Sequence, residues 1–137
     1  MIKTGSPRVE EMPLIYDSWI SSYRRSPWAG VIRNDKWHEF MSDTVRNLLI
    51  DSTVICGFPQ DDAVRRVVGY VVVQKPNILH YVYVKQKYRG IGVANQLIEA
   101  ATGFLGCETG IYTFKTKASE FLDKRGWKFD PVPARTV

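Results

Sequence analysis

A chain of 137 residues is one domain's worth, long enough to bury roughly 65–70% of the surface its unfolded form exposes. With 45% hydrophobic, 24% charged and 12% aromatic residues it is neither a disordered tail nor a collagen-like fibre. The net charge of +5 is concentrated: no acidic residue lies between Asp62 and Glu99, where Arg65, Arg66, Lys75, Lys85, Lys87 and Arg89 fall, which leaves 13 of the 19 basic residues against all 14 acidic ones elsewhere. That pattern suits one compact polyanionic ligand near residues 85–89 or a solvated basic loop better than a general nucleic-acid surface, which spreads its cations along a face. The apolar runs are far shorter than the ~20 residues that span a bilayer, and the polar start of the chain lacks a signal-peptide core, so a cytoplasmic protein without membrane partners is expected. Cys56 and Cys107, far apart and without His or Cys at metal-ligand spacing, are expected to be buried reduced thiols, with no metal site.

In chain order, residues 2–4 are a short strand. Pro13 then opens a helix with Ile15, Trp19, Ile20 and Tyr23 on one face, ending before Pro27. Asn34 or Asp35 caps a second helix, whose Trp37, Phe40, Met41, Val45, Leu48 and Leu49 form an apolar stripe that stops near Asp51. Residues 53–58, 67–73 and 78–84 are β-branched and aromatic runs separated by turn residues, which predicts a three-strand antiparallel meander. From Val93 the period becomes helical through Ala94, Leu97, Ile98, Ala101, Phe104 and Leu105, ending at Gly106. A strand over 111–116, a helix over 118–125 and a strand over 127–129 complete the order. Residues 1–137 thus read as a single α+β, or mixed α/β, domain, with a hairpin-rich first half and strand-helix alternation in the second.

Chemistry concentrates where the strand at 78–84 runs through Lys85-Gln86-Lys87-Tyr88 into Arg89-Gly90-Ile91-Gly92-Val93-Ala94 and straight into a helix. A helix N-terminus offers unpaired N–H groups and partial positive charge, and glycines let a phosphate approach the backbone. The alternative is a turn that merely needs left-handed glycines. A P-loop is excluded by the missing Gly-Lys-Ser/Thr, and a dinucleotide fingerprint by Asn95, which stands where a third glycine is required.

The hexapeptide Arg89 to Ala94 resembles the pyrophosphate motif of the GNAT superfamily of acetyl-CoA-dependent N-acyltransferases: Gln or Arg, two residues, Gly, one residue, then Gly or Ala. Residues 83–88 are similar to that family's fourth strand and approach loop, residues 94–101 to its third helix, and Ala118, Phe121 and Gly126 to the pattern around its fourth helix. The resemblance implies a central, mostly antiparallel twisted sheet, splayed between strands four and five and flanked by about four helices. It implies acetyl-CoA as co-substrate, with the pantetheine arm entering the splay against backbone groups of Val82 and Val84. The amides of Gly90, Ile91, Gly92, Val93 and Ala94 would hold the pyrophosphate and the Val82 amide would polarise the thioester carbonyl, with Lys85 and Lys87 adding charge. Tyr83, Arg89 and Ser119 join the implied cofactor set.

Three positions depart from the family pattern: Leu122 replaces the usual acid tyrosine, Lys115 an asparagine, and Ile78 a strand-four glutamate found in some members. His80 is the candidate base, acting directly or through ordered water, and Tyr112 the candidate acid, with Tyr81 and Tyr83 as further possible acids or plain core tyrosines. The implied activity is acetyl transfer by direct attack of an amine, carried by a small molecule or a protein. Trp28, Trp37 and Tyr23 are candidates for the walls of its pocket. Little chain follows Phe129, so the acceptor site is either open or completed by a second copy in a homodimer. The rivals are a catalytically weak or inactive member that binds acyl-CoA or a protein partner, and, last, a basic nucleic-acid binder.

Overall fold

The computed structural model describes residues 2–24, 34–61 and 65–135. The expected acceptor loop with Trp28, and the Trp37 side chain, lie outside the described part. The chain order is β1 (Ile2–Gly5), α1 (Met12–Arg24), α2 (Asn34–Asp51), β2 (Thr53–Pro59), β3 (Gly69–Gln74), β4 (Ile78–Val84), α3 (Val93–Leu105), β5 (Ile111–Tyr112), α4 (Ser119–Lys124), β6 (Lys128–Phe129) and α5 (Val132–Arg135). The six strands form one sheet in sequence order. Strands β1 to β4 pair antiparallel, and β5 joins β4 and β6 in parallel. The mixed α/β expectation and the antiparallel meander both hold.

Each helical stripe meets one face of the sheet. Ile15, Trp19 and Ile20 of α1 and Met41, Val45 and Leu48 of α2 pack with Tyr70, Val72 and Tyr81, and Trp19 stacks on Tyr81 at 4.9 Å. On the opposite face Val93, Leu97, Ile98 and Ala101 of α3 pack with Val71, Val73, Leu79, Val82 and Val84, and Leu122 and Trp127 extend this second core. A strand covered on both faces must be apolar at every position, which is why β3 reads as an unbroken run. At the periphery, a salt bridge of 2.8 Å from Arg65 to Glu11 fixes the approach to β3.

Several boundaries differ from the sequence reading. The run 111–116 pairs only at Ile111 and Tyr112, because the chain diverges from β4 after the Leu79↔Tyr112 rung and its later β-forming residues join no ladder. Strand β3 begins at Gly69 instead of Val67. Trp127 leaves β6 because its amide closes α4 on the Leu122 carbonyl at 3.0 Å. Phe40 and Phe104, placed on apolar stripes by their spacing, are 48% and 39% exposed, and the Lys75 ammonium covers the Phe104 ring at 4.9 Å. Cys56 is buried, which pushes its thiol pKa up to about 12, whereas Cys107 is only half-buried. Helix α5 is a single turn that drops Ala134 into the α1/α2 core. None of the described helices is long and apolar enough to cross a membrane.

Candidate active site

Gly90 and Gly92 both adopt left-handed backbone, with φ of 83° and 88°, and a Cβ added at either would meet nothing within 4 Å. The turn therefore needs glycine for conformation, and the space over it is open. Gly92 caps α3 without any side-chain bond, and its carbonyl receives the Gln96 amide at 3.1 Å. The amides of residues 90–95 meet no backbone acceptor among the described residues, so they form a row of unused donors at the positive end of a 13-residue helix. This cradle fits a diphosphate: it is open, carries no side chain at its two glycines, and lies at the positive end of the helix dipole.

The strand leading into it is equally prepared. Beyond Leu79, which receives the Thr113 amide at 3.2 Å, no β4 residue pairs with β5. The Lys85 amide bonds Val68 at 2.9 Å and the Tyr83 carbonyl lies against Gly69, so both residues face β3. Strand alternation then turns the N–H and C=O of Val82 and Val84 toward the side that β5 has left. Their side chains are buried against α3, so these two act through the main chain alone. Arg89 donates from Nε to the Val84 carbonyl at 2.8 Å, bracing the strand end to the glycine turn. Its motif position was legible from sequence, but that brace was not.

The remaining candidates are placed as follows. Lys87 lies 5.8 Å from the Tyr88 ring on the approach turn, and Ile91 is 65% exposed at the tip of the loop. Tyr83 packs on Tyr70 at 5.4 Å, with the Arg89 guanidinium 6.0 Å from its ring. Tyr81 is buried and bonded to Ser22 at 2.6 Å, and burial pushes its pKa to about 12. Tyr23 packs edge-on against Tyr81 and Phe114 inside the α1/α2 layer. Ser119 accepts the Thr116 amide at 2.8 Å, which bends the chain into α4. Leu122 is fully buried against α3, so that position serves packing, and Lys115 covers the Phe129 ring at 4.8 Å.

Neither acid-base candidate stands free. Tyr112 donates to Asp123 at 2.7 Å, and burial, reinforced by that carboxylate, raises its pKa to about 12. Proton transfer from such a phenol to a thiolate of pKa ~8.5 is uphill by about 5 kcal/mol, which argues against Tyr112 as the acid. His80 is fully buried, with Nδ1 2.7 Å from Thr113 Oγ1 and Nε2 2.8 Å from Gln74 Oε1. Both nitrogens are thus engaged and no lone pair faces the gap, so the geometry does not favour direct proton abstraction by this ring. No signal in the sequence pointed to Thr113 or Gln74 as its partners.

Burial lowers the His80 pKa to about 4, so the ring is neutral near pH 7. Because the unfolded chain takes this proton first, the contribution is intact above about pH 6.5 and is lost as pH falls toward about 4, by up to about 3 kcal/mol. Urea denaturation across that window should show the fall in wild type and a shallower one in His80→Asn. Equal slopes in the two proteins would contradict it.

A mixed sheet that forks beside a glycine-lined helix N-terminus is the architecture of acetyl-CoA-dependent acyltransferases. Residues 59–129 match the acetyltransferase (GNAT) domain, and the chain belongs to the GNAT acetyltransferase family. No curated protein matches the sequence. Among solved structures, the chain is similar to a GCN5-related N-acetyltransferase from Rhodopseudomonas palustris, at TM-score 0.65 and 18% identity over 92% of this chain and 81% of the other. It is similar to a histone acetyltransferase HPA2 and related acetyltransferase from Corynebacterium glutamicum, at TM-score 0.64 and 14% identity over 91% and 83%. It is also similar to the PaiA N-acetyltransferase of Thermoplasma acidophilum in complex with coenzyme A, at TM-score 0.52 and 12% identity over 77% and 72%. At these identities the likeness is one of fold.

Proposed function

We propose that this chain transfers the acetyl group of acetyl-CoA to an amine acceptor. The observation that carries the proposal is the continuity of a β4 edge that β5 leaves unladdered, at Val82 and at the Val84 amide, with the open row of amides from Gly90 to Ala94 at the head of α3. The Gly90 to Ala94 amides and the helix dipole hold the diphosphate, with Lys85 and Lys87 adding long-range attraction. Val82 and Val84 offer main-chain groups to an extended pantetheine arm, as an edge strand does to an added strand. The Val82 N–H donates to the thioester oxygen as negative charge grows there. The amine nitrogen bonds to the carbonyl carbon, the carbon–sulfur bond breaks with its electrons on sulfur, and the amine proton passes to water as the thiolate collects one.

No covalent enzyme intermediate is involved: the Cys56 thiol is buried, with its pKa pushed up to about 12, and Cys107 has no base beside it in sequence. A lysine-like amine is about 4.6 kcal/mol from its neutral form near pH 7, so deprotonation is the step that most needs help, and ordered water in the fork is the route we favour. Against nucleic acid as the ligand, three of the six central cations already have partners within the chain: Arg65 with Glu11, Arg89 with the Val84 carbonyl and Lys75 over the Phe104 ring.

The test is incubation of the purified protein with labelled acetyl-CoA in cell extract, with calorimetry of acetyl-CoA alone. Label on an amine-bearing molecule or protein supports the proposal, and absence of acetyl-CoA binding overturns it. Binding without transfer favours the second reading, a non-catalytic acyl-CoA binder. The engaged His80 and Tyr112 and the buried Leu122 motivate that reading.

A further inference from the structure

His80 occupies an unusual place in the sheet. The β3–β4 register runs Val72↔Tyr81 and then Val73↔Leu79, so His80 is an extra residue, a bulge with no partner on β3. It also sits one residue beyond the last rung between β4 and β5, Leu79↔Tyr112. Its ring spans both neighbours there, reaching Gln74 at the end of β3 with Nε2 and Thr113, just past β5, with Nδ1. Thr113 Oγ1 also lies 3.5 Å from the His80 carbonyl oxygen. Ring and hydroxyl are both buried, at 0% and 3% exposure, so water does not compete for the bond.

The bulge decides which amides line the gap. Before it, Asn77 and Leu79 direct their carbonyls to β5, where the amides of Ile111 and Thr113 find them. Unbroken alternation would hand the gap to residues 81 and 83. The inserted residue hands it to Val82 and Val84 instead, and puts the Tyr81 ring on the opposite face of the sheet from the Leu79 side chain. From this juxtaposition we infer that His80 and Thr113 are a positioning pair, a buried latch at the fork that holds the bulge and thereby aims the Val82 N–H at the acyl carbonyl. The inference rests on the acetyl-CoA reading above and adds to it residues that act without touching the substrate.

The latch is tested by titrating wild type, Thr113→Val, Thr113→Ser and His80→Asn with both acetyl-CoA and CoA, while following the Val82 amide by NMR. Valine keeps the shape of threonine and removes the hydroxyl, serine restores it, and asparagine places a nitrogen near the position of Nδ1. In wild type the Val82 amide resonance should move between the CoA and acetyl-CoA complexes. Thr113→Val should cut that movement by more than half and weaken acetyl-CoA about five- to tenfold, the scale of one buried hydrogen bond, with CoA affinity within about twofold of wild type. Thr113→Ser and His80→Asn should return both readouts toward wild type. A purely structural bond would lower stability in Thr113→Val and leave the amide response and the acetyl preference in place, which would overturn the latch alone. Failure of wild type to bind either ligand would overturn the acetyl-CoA reading and the latch with it. Should His80→Asn not fold, the valine and serine pair at Thr113 decides the question.

Discussion

Replacing Gly92 with valine is expected to weaken acetyl-CoA binding by at least about tenfold while costing the fold only about 1–2 kcal/mol, the penalty of an L side chain in left-handed backbone. The two effects separate because of where the new side chain would go. Nothing of the protein lies within 4 Å of a Cβ at Gly92, so the folded chain meets no clash. That same empty volume is the space over the amides of Gly90 to Ala94, where a diphosphate must approach the backbone. Gly103→Ala supplies the control. It lies in the exposed interior of α3, also with nothing within 4 Å, and should leave binding unchanged while raising stability by about 0.5–1 kcal/mol. Isothermal titration and denaturant unfolding of the two variants measure both quantities. Undiminished affinity in Gly92→Val would mean that the cofactor does not use this corner.

Gly110→Ala should be the most damaging single methyl in the described structure, lowering stability by about 3 kcal/mol or more. A Cβ there would collide with the Asn77 carbonyl oxygen and come within 2.9 Å of the Trp127 ring. That oxygen is backbone and is already in use, since it receives the Ile111 amide at 2.9 Å. Relief therefore requires β5 to back away from β4, yet only two residue pairs join these strands. Trp127, 2% exposed, has no room to yield on the other side. A midpoint of urea unfolding close to that of wild type would refute this account of how the narrow strand β5 is seated.

Both predictions turn on glycines, and the two differ in how visible they were beforehand. Gly92 stands in a spaced motif that follows a strand and opens a helix, so local sequence carries its meaning. Gly110 follows a threonine in an unremarkable loop. Its constraint comes from Asn77, 33 positions away, and from Trp127, and no local pattern encodes it. His80 shows the same limit in sharper form. Alternation along 78–84 puts it on a strand, and a histidine on a strand beside a cofactor motif invites the role of base. Its actual state, a neutral buried ring bonded at both nitrogens, depends on a register shift between β3 and β4 and on a threonine 33 residues downstream. The truncated β5 is a second case: the sequence of 111–116 favours an extended strand, but the chain diverges from β4 after the Leu79↔Tyr112 rung.

What the sequence alone determined was therefore whatever is written in short-range periodicity: the helical stripes, the three-strand meander, the glycine turn into α3, and through them the family. Only the tertiary structure decided which backbone amides face the fork, which side chains are already committed to one another, and where a single added carbon is intolerable. Those properties arise from contacts between residues tens of positions apart, and the free energy of such contacts depends on strand register and burial, neither of which a local pattern of residue types contains.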